Sequence, residues 1–343
     1  MSDETILVTG GTGFIAQYCI LALLDRGYRV RTTVRDLARA SEVRDHLEVA
    51  GVDPGDRLSF VAADLGDDAG WAAAAAGCAY AMHGASPTPS GDQQTLEEWV
   101  RPAVDGNLRV LRAARDAGVG RVVLTSAFGA IGMGHNPGHR RPFDETDWSE
   151  LTDQVAPYQK SKTLSERAAW DFVAREGGGI ELAAVNPVAV LGPALGRDYS
   201  HSIRMIRNIM LGQPGAPRIN TGVVDVRDVA DLHVRAMLDP AAAGERFVAT
   251  AGPSLWMAEI ARVIRDHMGT AGARASTREL PDFMVKLAAR GNPALKDVRA
   301  MLGVDMNVTS AKAISLLGWA PRSREDAILA TAESLVRLGL LED

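Results

Sequence analysis

Tyr158 and Lys162 lie four residues apart in Pro157-Tyr-Gln-Lys-Ser-Lys-Thr-Leu-Ser-Glu166. On a helix, residues at i and i+4 share a face. An ammonium beside a phenol favours the phenolate, so the hydroxyl would exchange its proton nearer neutral pH. The spacing gains weight from the N-terminus, where Thr5-Ile-Leu-Val-Thr9 runs into Gly10-Gly-Thr-Gly13-Phe-Ile-Ala16. A β-branched apolar strand, a glycine turn and helical character over 17–26 form the setting of a dinucleotide fingerprint. The glycines let the backbone approach a pyrophosphate, and the helix start offers unpaired N–H groups and a positive dipole end.

The elements that would position these groups alternate along the chain. A second strand, Tyr28 to Val34, ends at Arg35. A basic residue at this point accommodates a ribose 2′-phosphate, where an acid would bind the free 2′-OH, so Arg35 argues for NADP. Arg39 follows in the next loop, and Asp36 reads as a turn or cap residue. Further strands are expected at Leu58 to Ala63, Ala79 to His83 and Arg121 to Thr125, with helix between them, as over Ala103 to Ala117. This rhythm predicts a doubly wound parallel α/β sheet, a Rossmann fold, with ligands beyond the carboxyl ends of the strands. Gly10, Arg35, Asp64, Ala85 and Ser126 all fall at such ends. The dinucleotide domain is expected over residues 1–190. Gly222 to Val226 and Arg246 to Ala249 read as strands that could return to its sheet, so a substrate lobe over 191–343 would be interleaved with it.

Together these residues resemble the extended short-chain dehydrogenase/reductase family. The likeness is to its dihydroflavonol-reductase-like and cinnamoyl-CoA-reductase-like branch, which includes microbial ketone and aldehyde reductases. It is carried by Val8 to Ala16, Thr33-Val-Arg-Asp36, Asp64-Leu65, His83-Gly-Ala-Ser-Pro87, Leu124-Thr-Ser126, the stretch 158–166, Asn186-Pro-Val-Ala-Val-Leu-Gly-Pro193, Val224 to Asp231 and Leu317-Gly-Trp-Ala-Pro-Arg322. The resemblance implies an NADPH-dependent reduction of an aldehyde or ketone. Tyr158 would be the general acid, Lys162 its partner, and Ser126 would hold the carbonyl oxygen. Thr9, Gly10, Gly13, Phe14 and Ile15 would line the pyrophosphate, Arg35 the 2′-phosphate, Asp64 and Leu65 the adenine, and Ala85, Pro187 and Val188 the rest of the cofactor. Ser86, Phe128, Tyr199 and Met205 are candidates for the substrate side, and the glycine-rich segment Gly129 to Arg141 is expected to be mobile beside it. The chain departs from the pattern at Ala16, which replaces a third glycine, and at Ala127, where a second hydroxyl residue is common. Asn107 lies in the helix that carries a relay asparagine in some short-chain enzymes but is offset.

Composition bounds the alternatives. The 343 residues are 46% hydrophobic with a net charge of −6 and no block of like charge, which argues against a nucleic-acid surface. No apolar run approaches the ~18 residues of a membrane span. The acidic start, Met1-Ser-Asp-Glu4, does not read as a signal peptide, and Cys19 and Cys78 form no disulfide framework, so a cytoplasmic location is expected. His135 and His139 are four apart, but Asn-Pro-Gly lies between them, so no metal site is expected. Asp225, Asp228 and Asp231 read as capping and solvated residues, Glu97-Glu98 and Asp144-Glu145 as surface acids, and Ala72 to Ala76 as a surface helix. Two other functions compete: an NAD-dependent sugar-nucleotide epimerase or dehydratase, disfavoured by Arg35, and a non-enzymatic NADP-sensing regulator, disfavoured by the intact tyrosine–lysine pair. Only 5% of residues are aromatic, so a modest carbonyl compound fits better than a stacked polyphenol. Monomer and homodimer are equally open.

Overall fold

Six short apolar segments alternate with helices through the first half of the chain. They are β1 Thr5–Thr9, β2 Arg29–Val34, β3 Leu58–Ala62, β4 Cys78–His83, β5 Arg121–Thr125 and β6 Glu181–Pro187. In the computed structural model they pair in parallel with a seventh strand, Arg246–Ala249, in the order Arg246–Ala249, β6, β5, β4, β1, β2, β3. The structure describes residues 4–87, 95–135, 139, 141–197, 200–291 and 301–342. Burial on both faces explains the near-continuous apolar runs of β5 and Arg246–Ala249. The order reverses between β1 and β4, so the crevice beyond their carboxyl ends is the switch point where this architecture takes ligands.

Helices α1 Phe14–Asp25, α2 Ala40–Val49, α3 Trp71–Ala75, α4 Leu96–Asp116 and α5 Pro157–Glu176 connect the strands. Helix α1 starts three residues before the expected Gln17, because Gly13 is its N-cap and the Gln17 amide already donates to the Gly13 carbonyl. Phe14 and Ile15 therefore belong to its first turn. Helix α4 starts at Leu96 rather than Ala103. A capping box between Thr95 and Glu98 fixes its beginning, and Pro102 lies inside the helix. The alanines of α3 are not a surface run: Trp71, Ala74 and Ala75 are buried between sheet and α4, where small side chains allow close approach.

The second half of the chain interlocks with the first. Of the two segments expected to rejoin the sheet, only Arg246–Ala249 does so. Val223–Asp225 pairs instead with Ala189–Leu191 in a separate two-stranded sheet. Its alternating side chains serve two cores: Val224 packs with the central sheet, and Val223 with a second apolar cluster. Helix α7, Val226–Leu238, then returns to the first half to pack on α1, β5 and β6. Arg121 fastens it there. Its guanidinium donates to the Ala236 and Asp239 carbonyls at the end of α7 while pairing with Glu181, its register partner on β6. The second cluster gathers Leu191, Ile203, Ile206 and Ile209 with residues of helices Met257–His267 and Arg324–Arg337. Among the described residues no helix is long and apolar enough to cross a membrane.

Candidate active site

The glycine turn is shaped by contacts that exclude a side chain. Gly10 has φ +71°, and a Cβ there would stand 3.1 Å from the Ala85 Cα and Cβ. A Cβ at Gly13 would stand 3.1 Å from the Gly10 carbonyl oxygen. The Gly10 amide donates to Thr33 Oγ1 at 2.9 Å, which ties the turn to the end of β2. The turn opens into a cleft of about 420 Å³ whose walls include Gly10, Gly13, Arg35, Asp64, Leu65 and Ala85. Arg35 is exposed and makes no ion pair or hydrogen bond among the described residues. Arg39 also lines the cleft, but Glu42 takes two of its N–H groups, at 2.9 and 3.0 Å. Asp64 caps its own turn by accepting from the Gly66 amide at 2.7 Å, and Leu65 packs against Gly106 of α4.

Tyr158 and Lys162 stand on the first turns of α5, with Pro157 at the helix start, where its missing N–H costs nothing. Lys162 Nζ donates to Ser86 Oγ at 3.1 Å, and Ser86 lines the glycine cleft. That bond brings the tyrosine–lysine helix to the cleft. Nζ lies 6.0 Å from the Tyr158 ring centroid, and the ring meets Trp99 of α4 edge-on at 5.8 Å. Burial pushes the ammonium down to about 8, opposed by the charge of Glu166. Burial also pushes the phenol upward. The residue as a whole is 41% exposed, and Nζ approaches it over the ring face.

Ser126 caps the end of β5 and is buried, its amide donating to the Val185 carbonyl at 2.8 Å. Its hydroxyl donates to Glu166 Oε2 at 2.5 Å. Glu166, one turn beyond Lys162, is fully buried and pairs with Arg246 Nε at 2.6 Å. Asn186 Nδ2 donates to the same carboxylate at 2.7 Å and Trp170 Nε1 at 3.2 Å. Arg246 lies over the Trp148 ring at 3.8 Å and donates to the Glu145 and Asp147 carbonyls.

The profile of the NAD dependent epimerase/dehydratase family matches residues 6–249. The chain belongs to that family. Among curated proteins it is 36% identical over 301 residues to a cinnamoyl-CoA reductase 1 of Oryza sativa subsp. japonica, covering 86% of this chain and 85% of the relative. It is 32% identical over 271 residues to an anthocyanidin reductase of Vitis vinifera, covering 74% and 79%. Among solved structures, the Gre2–NADPH complex of Candida albicans aligns with a TM-score of 0.78 at 27% identity over 98% of this chain and 99% of that one. The yeast methylglyoxal/isovaleraldehyde reductase Gre2 aligns at 0.81 and 24% identity, over 98% and 100%, which is a likeness of fold.

Not every residue singled out in this epimerase/dehydratase chain reaches the cleft. Phe14 and Ile15 pack into the cores, Phe14 edge-on to Tyr18 at 5.7 Å. Pro187 is buried at the end of β6, and Val188 packs against Gly222; neither lines the cleft. Phe128 packs with Phe143, ring centroids 5.9 Å apart. Met205, on α6 His201–Met210, packs against the second cluster, and Tyr199 lies outside the described residues. The start of the segment 129–141 is clamped rather than loose. The Gly129 carbonyl accepts from Ser149 and Thr163, and the Ala130 carbonyl from the Ser149 amide. His139 stacks on Phe143 at 4.0 Å, and no group of three metal-ligating side chains occurs among the described residues.

Several polar groups were passed over or misread in the sequence. Glu145 is no surface acid: it is buried and accepts from the Val248 amide at 2.8 Å. Asp225 caps α7 as expected, but it and Asp228, the partner of Arg322, are buried rather than solvated. His83 is fully buried, bonded through Nδ1 to Thr9 Oγ1 at 2.8 Å and through Nε2 to Asn107 Oδ1 at 3.0 Å. Thr9 Oγ1 also accepts from the Ala85 amide, so this chain joins the cradle to α4. A polar residue within an otherwise apolar strand end was the available signal for His83, and the (i, i+4) step from Lys162 was the signal for Glu166.

Proposed function

We propose that the protein is an NADPH-dependent reductase that converts the carbonyl of a small or medium aldehyde or ketone to the alcohol, reversibly, with Tyr158 as general acid. The observation that carries this reading is the Lys162–Ser86 bond, which brings the tyrosine–lysine pair to the edge of the glycine cleft. Relatives at 32–36% identity named as reductases, and a Gre2 complexed with NADPH at 27%, support an oxidoreductase reading.

The cradle fits a dinucleotide phosphate: Gly10 and Gly13 occupy positions where a Cβ would crowd the turn, and an exposed cation, Arg35, borders the same cleft. Gly10 and Gly13 would frame the pyrophosphate, Arg35 the 2′-phosphate, and Asp64, Leu65 and Ala85 the remainder, all of them walls of the same cleft. When bound, the reduced nicotinamide supplies hydride. The protein supplies the rest. A phenol raised by burial is protonated at neutral pH, the state a proton donor needs. Lys162, bonded to Ser86 at the edge of the cleft, holds positive charge near the oxygen that receives the proton. The second apolar cluster, carried largely by residues beyond 190, would form the substrate side. Free, buried Cys19 and Cys78 accord with a cytoplasmic enzyme.

The test mixes the purified protein with NADPH or NADH and a panel of aldehydes and ketones and follows absorbance of the reduced ring. Carbonyl-dependent oxidation faster with NADPH is expected. Cofactor binding without turnover across the panel would favour a sensing protein instead.

A further inference from the structure

Ser86 is more than a wall of the glycine cleft. It stands exposed in the loop after β4, and its Oγ accepts from Lys162 Nζ at 3.1 Å. Among the described residues this is the only hydrogen bond of the ammonium. An ammonium has three donors and is costly to bury without acceptors. The other groups around Nζ are weak partners or already engaged. The Tyr158 ring face lies 6.0 Å away at its centroid. Glu166, one turn on, favours the charged form, but its carboxylate is held by Arg246, Ser126, Asn186 and Trp170. His83 is fully buried, kept neutral by that burial, and bonded to Thr9 and Asn107. Asn107 gives its own amide to the Ser165 carbonyl.

We propose that Ser86 is a positioning residue whose hydroxyl keeps the Lys162 ammonium charged and turned to the cleft beside Tyr158. The role beside Tyr158 rests on the reductase reading; the hold on the ammonium does not. The bond ties α5 to the loop after β4 and sets the cation at the edge of the cleft, where a carbonyl substrate would gain negative charge. An acceptor on a cation stabilises the charged form, and burial opposes it. Burial already brings Lys162 down to about 8. Without the hydroxyl the neutral amine is favoured further, so the cation is lost nearer neutral pH.

The test uses the full chain. Lysine-selective isotope labelling and NMR follow the Lys162 titration without cofactor or substrate, since the chain holds only five lysines and Lys162→Arg identifies the signal. Ser86→Ala is expected to move the midpoint down by about one pH unit, about tenfold in the charged-to-neutral ratio. Ser86→Thr, which keeps the acceptor, is expected to titrate like the parent. In turnover with saturating NADPH and isovaleraldehyde as probe, the alkaline limb of kcat/KM should move down by the same amount in Ser86→Ala. The rate below that limb should stay within about twofold. Ser86 is exposed, so the fold should survive, and an unchanged urea midpoint checks this. A Lys162 midpoint unmoved in Ser86→Ala, with water in place of the hydroxyl, overturns the proposal. So does a rate loss equal at every pH, or one that Ser86→Thr shares. Should the parent reduce no carbonyl at all, the reductase reading fails, and the titration alone decides whether Ser86 holds the ammonium.

Discussion

Replacing Arg35 by Ala should separate the two nicotinamide cofactors. Arg35 borders the glycine cleft, is exposed, and has no ion-pair or hydrogen-bond partner among the described residues, whereas two N–H groups of Arg39 are already held by Glu42. The 2′-phosphate would thus depend chiefly on Arg35. A hydrogen bond to a charged group is worth roughly 1.5–3 kcal/mol. Exposure and screening place this one at the lower end, about 1.5–2 kcal/mol. At about 1.4 kcal/mol per tenfold, NADPH should bind some 10- to 30-fold more weakly to the variant. NADH, which lacks the phosphate, should bind within about twofold of the parent. Quenching of intrinsic tryptophan fluorescence at low and physiological salt would measure both constants, with the NADPH difference shrinking as salt rises. Equal weakening of both cofactors by Arg35→Ala, or of neither, would refute the assignment of Arg35 to the phosphate.

Other consequences follow from burial and backbone geometry. Gly10→Ala places a side chain at φ +71° against Ala85, so NADPH affinity should drop at least about tenfold with about 1 kcal/mol lost in urea unfolding. Unchanged cofactor affinity would mean that the cradle lies elsewhere. Phe247→Ala removes a fully buried ring from the seventh strand and should cost about 3–5 kcal/mol by the same measurement, far more than an exposed-site truncation such as Leu37→Ala. His83 and His233 are both fully buried and both pushed down to about 4, chiefly by burial. With depressed folded values, the unfolded chain takes up protons first as pH falls below about 6.5, so stability present above that pH is lost toward pH 4. Each histidine should withdraw about 2–3 kcal/mol between pH 7 and 4.5. Urea midpoints of the parent and His233→Gln at the two pH values would show it, and an equally steep acid loss in the variant would contradict it.

How far the chain could be read from its sequence depends on the range of the interactions. The cradle was legible because strand, glycine turn and helix are consecutive, and Tyr158 and Lys162 because helical spacing is local. The start of α4 was also written locally, in Thr95 and Glu98, but Pro102 reads as a break and hid it. The role of Val223–Asp225 was not legible, since a strand alternating between two cores looks like any buried strand until both cores are known. The same holds for Glu166 and Arg246, 80 residues apart, whose pairing only the closing of the seventh strand onto β6 creates. Glu145 looked like a solvated acid for the same reason: its partner is a backbone amide of that distant strand.

The central claim is that Tyr158 delivers the proton to a carbonyl being reduced. Steady-state oxidation of NADPH with a carbonyl probe, compared between the parent and Tyr158→Phe, tests it most directly, with NADPH affinity measured alongside. The account predicts a fall in kcat of at least about 10²-fold, the lower range for general acid catalysis, with NADPH affinity within about twofold. Turnover by Tyr158→Phe at the parent's rate would contradict it.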